Sequence, residues 1–324
     1  QFAAFTAHVK HLRLGSSDGD DDWVDSVAAC LQHGLQSPEC RVQQVDLDIS
    51  GAQPNDLATV FGSMANWCSV ESLGVDDYKE ERDAREARLI ARTLGQSLLG
   101  QADSLHTINI LSYVLTHVDQ SIAEEWCSNL QRNQTLLRKI QLGAYGAEVS
   151  SSLAVSLLQA VETNTVLEEL DLPNVCTFSI ILAQLTHSLP RICHLRALRF
   201  PPSRFSPSRP YSLAVTEKTL LLQALYQNGS LRVFDVDDDL WDLQDREVAQ
   251  KYFQRNCLWH QTRLTFDEPC DSATMAYLVV GLAQREAVPG ATTLRTLVSR
   301  FGQNVATRRR STFRRLKTAK KITS

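Results

Sequence analysis

LAVSLLQAVETNTVLEELDL, residues Leu153 to Leu172, carries two hydrophobic periods in succession. Leu153, Leu157, Leu158 and Val161 fall at i, i+4, i+5 and i+8, one apolar stripe of a helix whose opposite face stays polar. Leu167, Leu170 and Leu172 then form an L-x-x-L-x-L skeleton, the spacing of a short strand entering a core. Between the two stands Asn164. Asparagine tolerates the left-handed backbone that ends a helix, so Asn164 is expected to act as the stop. The segment predicts a helix–turn–strand unit too small to bury its own apolar face, which therefore needs a neighbour stacked on it.

The same strand skeleton returns at Val9/Leu12/Leu14, Val42/Val45/Leu47, Val70/Leu73/Val75, Leu105/Ile108/Ile110, Leu137/Ile140/Leu142, Leu195/Leu198/Phe200 and Leu231/Phe234/Val236. With Leu167/Leu170/Leu172 that makes eight instances, whose first positions are 33, 28, 35, 32, 30, 28 and 36 residues apart. Recurrence at this period is the mark of a solenoid. Helical apolar spacing follows the strands over 24–35, 57–65, 87–99, 122–130, 153–161, 178–189 and 219–225, and again over 248–258. Asn133 and Asn228 occupy the same place as Asn164. Two of the three also read as glycosylation sequons, but recurrence where the sequon is broken favours helix termination. The expected fold class is α/β: a right-handed solenoid with an inner parallel sheet, outer helices and about eight repeats over 1–260. Helical stretches at 273–286 and 292–304 are expected to close it as a cap over 261–305, followed by a basic disordered tail over 306–324. The Pro/Ser/Arg-rich stretch 201–210 should be a protruding loop.

In "LAVSLLQAVETNTVLEELDL" and in "LLLQALYQNGSLRVFDV" (Leu220 to Val236) the chain resembles leucine-rich repeat proteins of the ribonuclease-inhibitor-like class, a horseshoe fold. It is also similar to the repeat proteins of diatoms and related algae, in which an Arg-Asn element like Gln254-Arg255-Asn256 follows the last strand. The family places an asparagine three residues after the last strand leucine, where its side chain bonds neighbouring turns. Here those positions hold Ser17, Ser50, Tyr78, Tyr113, Tyr145, Val175, Ser203 and Asp239, so the turns must satisfy their backbone groups by other means. The resemblance implies protein binding on a concave sheet.

Composition fits a large packed core: 324 residues, 43% hydrophobic and 22% charged. No apolar run approaches the roughly 20 residues that span a bilayer. Gln1 in first place and the apolar Phe2–Phe5 suggest a fragment. Eight cysteines without a CxxC pair are expected to be buried free thiols, in a reducing compartment, cytoplasmic or nuclear. They lack the spacing of a zinc site, and no metal or cofactor is expected. Asp18-Gly-Asp-Asp-Asp22 fails the calcium-loop template, with Trp23 at the glycine position and Ala29 at the glutamate position. P-loop, HExxH, GxSxG and strand-borne GxGxxG motifs are missing, so catalysis is not expected.

Positions between and just after the strand aliphatics should project side by side from the concave face, about 4.8 Å apart from strand to strand. They are His11, Arg13, Gln44, Asp46, Asp48, Asp76, Asp77, Asn109, Lys139, Gln141, Glu169, Asp171, Arg199, Asp235 and Asp237. Acids dominate, which suits a basic protein partner steered by charge. The tail is the opposite, with Arg308, Arg309, Arg310, Arg314, Arg315, Lys317, Lys320 and Lys321 and no acid among them. Setting those eight aside leaves 25 basic against 37 acidic residues, a formal charge of −12 on the rest. Nucleic acid or an anionic membrane could engage only that tail. The expected function is a non-enzymatic, monomeric protein-interaction scaffold. The alternatives are an enzyme-regulatory protein of the GTPase-activating kind and the recognition portion of a larger receptor or ubiquitin-ligase adaptor.

Overall fold

A computed structural model of the chain describes residues 9–15, 31, 35–36, 39–50, 52–62, 67, 69–79, 82–83, 84–100, 105–131, 136–144, 147–172, 178–200, 213–236 and 243–267. The chain divides into two compact units, Gln1–Cys257 and Leu258–Ser324. The first contains one sheet of eight parallel strands, β1 (His11–Leu14), β2 (Gln44–Asp48), β3 (Ser72–Asp77), β4 (Thr107–Ser112), β5 (Lys139–Gly143), β6 (Glu169–Asp171), β7 (Ala197–Phe200) and β8 (Val233–Val236), in sequence order. The helices between them are α1 (Pro54–Gly62), α2 (Ala84–Gly100), α3 (Gln120–Gln131), α4 (Ser151–Thr163), α5 (Phe178–Ser188) and α6 (Val215–Gln227), and α7 (Leu243–Asp267) follows β8. Alternation of strand and helix from β2 onward, with every strand paired to its sequence neighbours, is an α/β solenoid, as the recurrence requires.

All eight skeletons lie in register. Leu12, Val45, Leu73, Ile108, Ile140, Leu170, Leu198 and Phe234 pair in one continuous row. That row and the next, Leu14 to Val236, form with the helix stripes a single apolar core running from Leu12 to Ala249. The residue preceding each strand makes a second ladder. The carbonyl of Lys10 accepts from the Gln43 and Gln44 N–H groups, Gln43 from Glu71 and Ser72, and so on to Arg196, which accepts from Arg232 and Val233. Each repeat is thus stitched to the last at one edge of the sheet as well as through its core.

The helix–strand junctions depart from expectation. Asn164 and Asn228 end their helices at φ −71°, ψ 132° and φ −72°, ψ 128°, extended and not left-handed. Their side chains do the capping instead. The Asn164 amide oxygen accepts from the Val166 and Leu167 N–H groups while its nitrogen donates to the Leu130 carbonyl of the preceding repeat, 2.7 Å away. Asn228 repeats this with Ser230, Leu231, Leu189 and Ile192, and Asn256 donates to the Asn228 and Leu231 carbonyls. Asparagine side chains at the ends of α4 and α6, and Asn256 within α7, thus tie consecutive repeats together. Both hydrogens of the buried Asn228 amide are committed, so its sequon is a structural site and not a sugar acceptor. Asn133 lies outside the described residues.

Arg255 closes the last repeat. It donates to the Tyr226 and Asn228 carbonyls while its guanidinium lies 5.0 Å from the Tyr226 ring centroid and 5.6 Å from that of Tyr252. The Gln254-Arg255-Asn256 element singled out in the sequence is this terminal clamp. Of the second unit, the described residues are 258–267, all helical. The stretches 201–210, 273–286 and 292–304, the Asp18–Asp22 run and the basic tail lie outside the described residues. So does the helical spacing over 24–35, except Leu31 and Leu35.

Candidate functional site

Two register rows line the exposed face of the sheet. One reads Arg13, Asp46, Gly74, Asn109, Gln141, Asp171, Arg199 and Asp235 from β1 to β8, the other His11, Gln44, Ser72, Thr107, Lys139, Glu169, Ala197 and Val233. Asp48 and Asp76 pair one step further along β2 and β3. The structure thus brings thirteen of the fifteen sequence-derived positions onto one surface and removes one; Asp237 lies outside the described residues.

Asp77 is the one removed. It shares strand parity with Leu73 and Val75 and is buried. Its carboxylate accepts from Arg82 Nε at 3.2 Å and from the Ser112 hydroxyl at 3.0 Å. Arg82 in turn donates to the Ile49, Ser50 and Ala52 carbonyls and to Glu86. Burial of a charge requires this many partners. Ser50, three residues after Leu47, accepts from the Tyr78 N–H and donates to Asp48. Serine and a buried arginine together satisfy the turn.

On the exposed face, charge is arranged unevenly. At the β1–β3 end Asp46 is held by three side-chain contacts: His11 Nε2 donates to it at 2.7 Å and Gln44 Nε2 to each of its oxygens at 3.3 Å. It leans over β3 at the one place where the row has no side chain. A Cβ on Gly74 would stand 2.3 Å from Asp46 Oδ1. The carboxylate is therefore fixed, half-exposed and aimed along the row toward Asn109. Asp48, bonded to Ser50, and Asp76 add negative charge beside it.

At the β5–β7 end the charges cancel. Arg199 bonds Asp171 at 2.8 Å and Glu169 at 3.1 Å, and Lys139 lies 3.5 Å from Glu169 and 4.0 Å from Asp171. Partial burial pushes the Glu169 carboxyl up, but the hydrogen bond from Arg199 and the charges of Lys139 and Arg199 outweigh it and hold it below its ordinary value. For Arg199, burial works against the charge, and the bonds to Asp171 and Glu169 overcome it. Between the two ends lies a neutral polar strip of Ser72, Thr107, Asn109 and Gln141. The surface offers a fixed anion, a neutral floor and a self-neutralised network.

The arrangement suits recognition. Among the described residues no cluster of His, Cys, Asp or Glu could hold a metal ion, and no helix is long and apolar enough to cross a membrane. Cys40 and Cys127 are buried, and burial pushes the Cys127 thiol up to about 12. Cys193, however, is exposed and Cys257 half-buried, contrary to the expectation of uniformly buried thiols. Spacing alone could not separate them, because Cys193 sits in the turn between α5 and β7. Sequence reasoning also missed the row preceding the strands, Lys10 to Arg232: it is the first variable position of each skeleton, and only the positions around the central and last aliphatics were considered.

No family model matches the chain, and the comparison with curated proteins finds no match. Among solved structures it is similar to leiomodin-1 actin-binding site 2, at 17% identity and a TM-score of 0.38 over 48% of this chain and 86% of that one. It is also similar to the tropomodulin C-terminal domain from Caenorhabditis elegans, at 17% identity and a TM-score of 0.39 over 56% of this chain and 97% of that one. The sheet order and repeat themselves make the structure a leucine-rich-repeat-like α/β solenoid.

Proposed function

We propose that this chain is a non-enzymatic protein-interaction scaffold whose exposed sheet face docks a basic segment of a protein partner. The observation that carries this reading is Asp46, a carboxylate fixed by His11 and Gln44 over the gap at Gly74. An acceptor already oriented costs a partner little ordering on binding, and a cation placed there meets Asp76 and Asp48 as well. The neutral strip from Ser72 to Gln141 would carry the uncharged part of the segment. A full helix after each of β2 to β7 among the described residues, from 9 residues in α1 to 17 in α2, supports placing the repeat in the ribonuclease-inhibitor-like class. Affinity capture from native lysate at low and physiological salt, with the wild-type chain and with Asp46→Asn/Asp76→Asn, tests the reading. A protein retained by the wild type and lost from the variant and at higher salt supports it. Equal retention by both chains rejects it.

A further inference from the structure

The row that precedes the strands carries a second charge pattern, opposite in sign. Across β5 to β8 it reads Arg138, Glu168, Arg196 and Arg232, brought together by the ladder that joins Arg138 to Glu168, Glu168 to Arg196 and Arg196 to Arg232 through their backbones. Arg196 and Glu168 neutralise each other at 2.7 Å. The two outer arginines are left over: among the described residues neither Arg138 nor Arg232 has an ion-pair partner, Arg138 is exposed, and Arg232 Nε is shut from solvent with no hydrogen-bond partner. Arg232 as a whole is partly exposed, so a ligand can meet this guanidinium only through its terminal nitrogens.

We infer that this rim is a second docking surface, one that takes an extended acidic peptide segment with two carboxylates about four residues apart. Three strand steps of about 4.8 Å put roughly 14 Å between the Arg138 and Arg232 positions, which an extended chain covers in about four residues. Each carboxylate then meets one arginine in the paired geometry guanidinium favours. Uncharged residues between them pass over the Glu168–Arg196 pair. Between the two arginines the rim offers only the neutralised Glu168–Arg196 pair, so a ligand that is negative at every step finds no free cation there among the described residues, which favours a peptide over a nucleic-acid strand. The surface is separate from the Asp46 end of the sheet, and does not rest on the reading given to it.

The test is fluorescence anisotropy of a labelled Glu-Gly-Ser-Gly-Glu peptide titrated with the full chain at low salt. We expect binding that weakens at least tenfold in Arg138→Ala/Arg232→Ala, at least threefold in Arg138→Ala alone, and hardly at all in Arg88→Ala/Arg92→Ala, which removes two charges from the α2 surface. The exposed Arg138 keeps the test open should the double variant fold poorly. Unchanged binding in both rim variants would assign the peptide to the basic tail and overturn the inference. So would equal binding of the Gln-Gly-Ser-Gly-Gln peptide, equal weakening in the α2 variant, or no peptide binding together with rim-dependent binding of an oligothymidylate.

Discussion

Arg82 Nε stands 3.2 Å from the Asp77 carboxylate, and both side chains are fully buried. The pair joins the turn after β2 to the start of α2, because the same guanidinium holds the Ile49, Ser50 and Ala52 carbonyls. Asp77→Ala leaves that guanidinium with Glu86 as its remaining carboxylate and takes an acceptor from the Ser112 hydroxyl, and is expected to cost about 1.5–3 kcal/mol in urea denaturation. Arg82→Lys should cost nearly as much, because an ammonium cannot serve so many acceptors in a fixed fork. A loss below about 1 kcal/mol for Asp77→Ala would mean that the pair is not formed.

Gly95 and Gly62 make a sign test of helix packing. A Cβ on Gly95 of α2 would lie 1.9 Å from the Trp126 indole, which is itself held by a bond from Nε1 to the Ala91 carbonyl at 2.9 Å. A Cβ on Gly62 of α1 meets nothing within 4 Å. Propensity alone would let alanine stabilise either helix by up to about 1 kcal/mol. Gly62→Ala should raise the melting temperature slightly and Gly95→Ala should lower it. Stabilisation by both would contradict the packing of α2 against α3.

The asparagines at the helix ends should be worth more than helix stops. Asn164→Ala and Asn228→Ala each orphan buried backbone groups in two consecutive repeats, and are expected to cost about 1–3 kcal/mol for every group left unpaired. Exchange of the Leu167 and Leu231 amides should accelerate in the respective variants, because Asn164 and Asn228 accept from them. Unaltered exchange would show that the side chains do not bind there.

These junctions also show what was legible in the sequence. The strands were, because three aliphatics per repeat enter one core and leave an unmistakable spacing. Helix bounds came out short at the start: apolar spacing begins at Leu57, Ala87 and Thr219, whereas α1, α2 and α6 begin at Pro54, Ala84 and Val215. First turns are polar and carry no stripe. Asp77 was misplaced because charge was weighed above strand parity, while Leu73 and Val75 already assigned its side. The fixing of Asp46 was not readable, since it depends on His11, Gln44 and Gly74 meeting across three strands.

The network at the β5–β7 end gives a pH dependence with a definite sign. Glu169 is held below its ordinary value of about 4.3, so its contribution to stability is present above that pH and is lost as pH falls through the lower folded value. Exposure screens the effect on stability, so the sharper readout is the side-chain titration followed by NMR. Arg199→Ala should move the Glu169 midpoint upward. An unmoved midpoint would show that the Arg199 bond is not made in solution.

Docking at Asp46 is best settled by titrating the captured partner directly against wild type and Asp46→Asn at two salt concentrations. Loss of one charge-assisted contact, about 1.5–3 kcal/mol, predicts a Kd weakened roughly tenfold to a hundredfold with a shallower salt dependence. A variant that binds with the wild-type Kd and the wild-type salt dependence would contradict the assignment of this face as the binding surface.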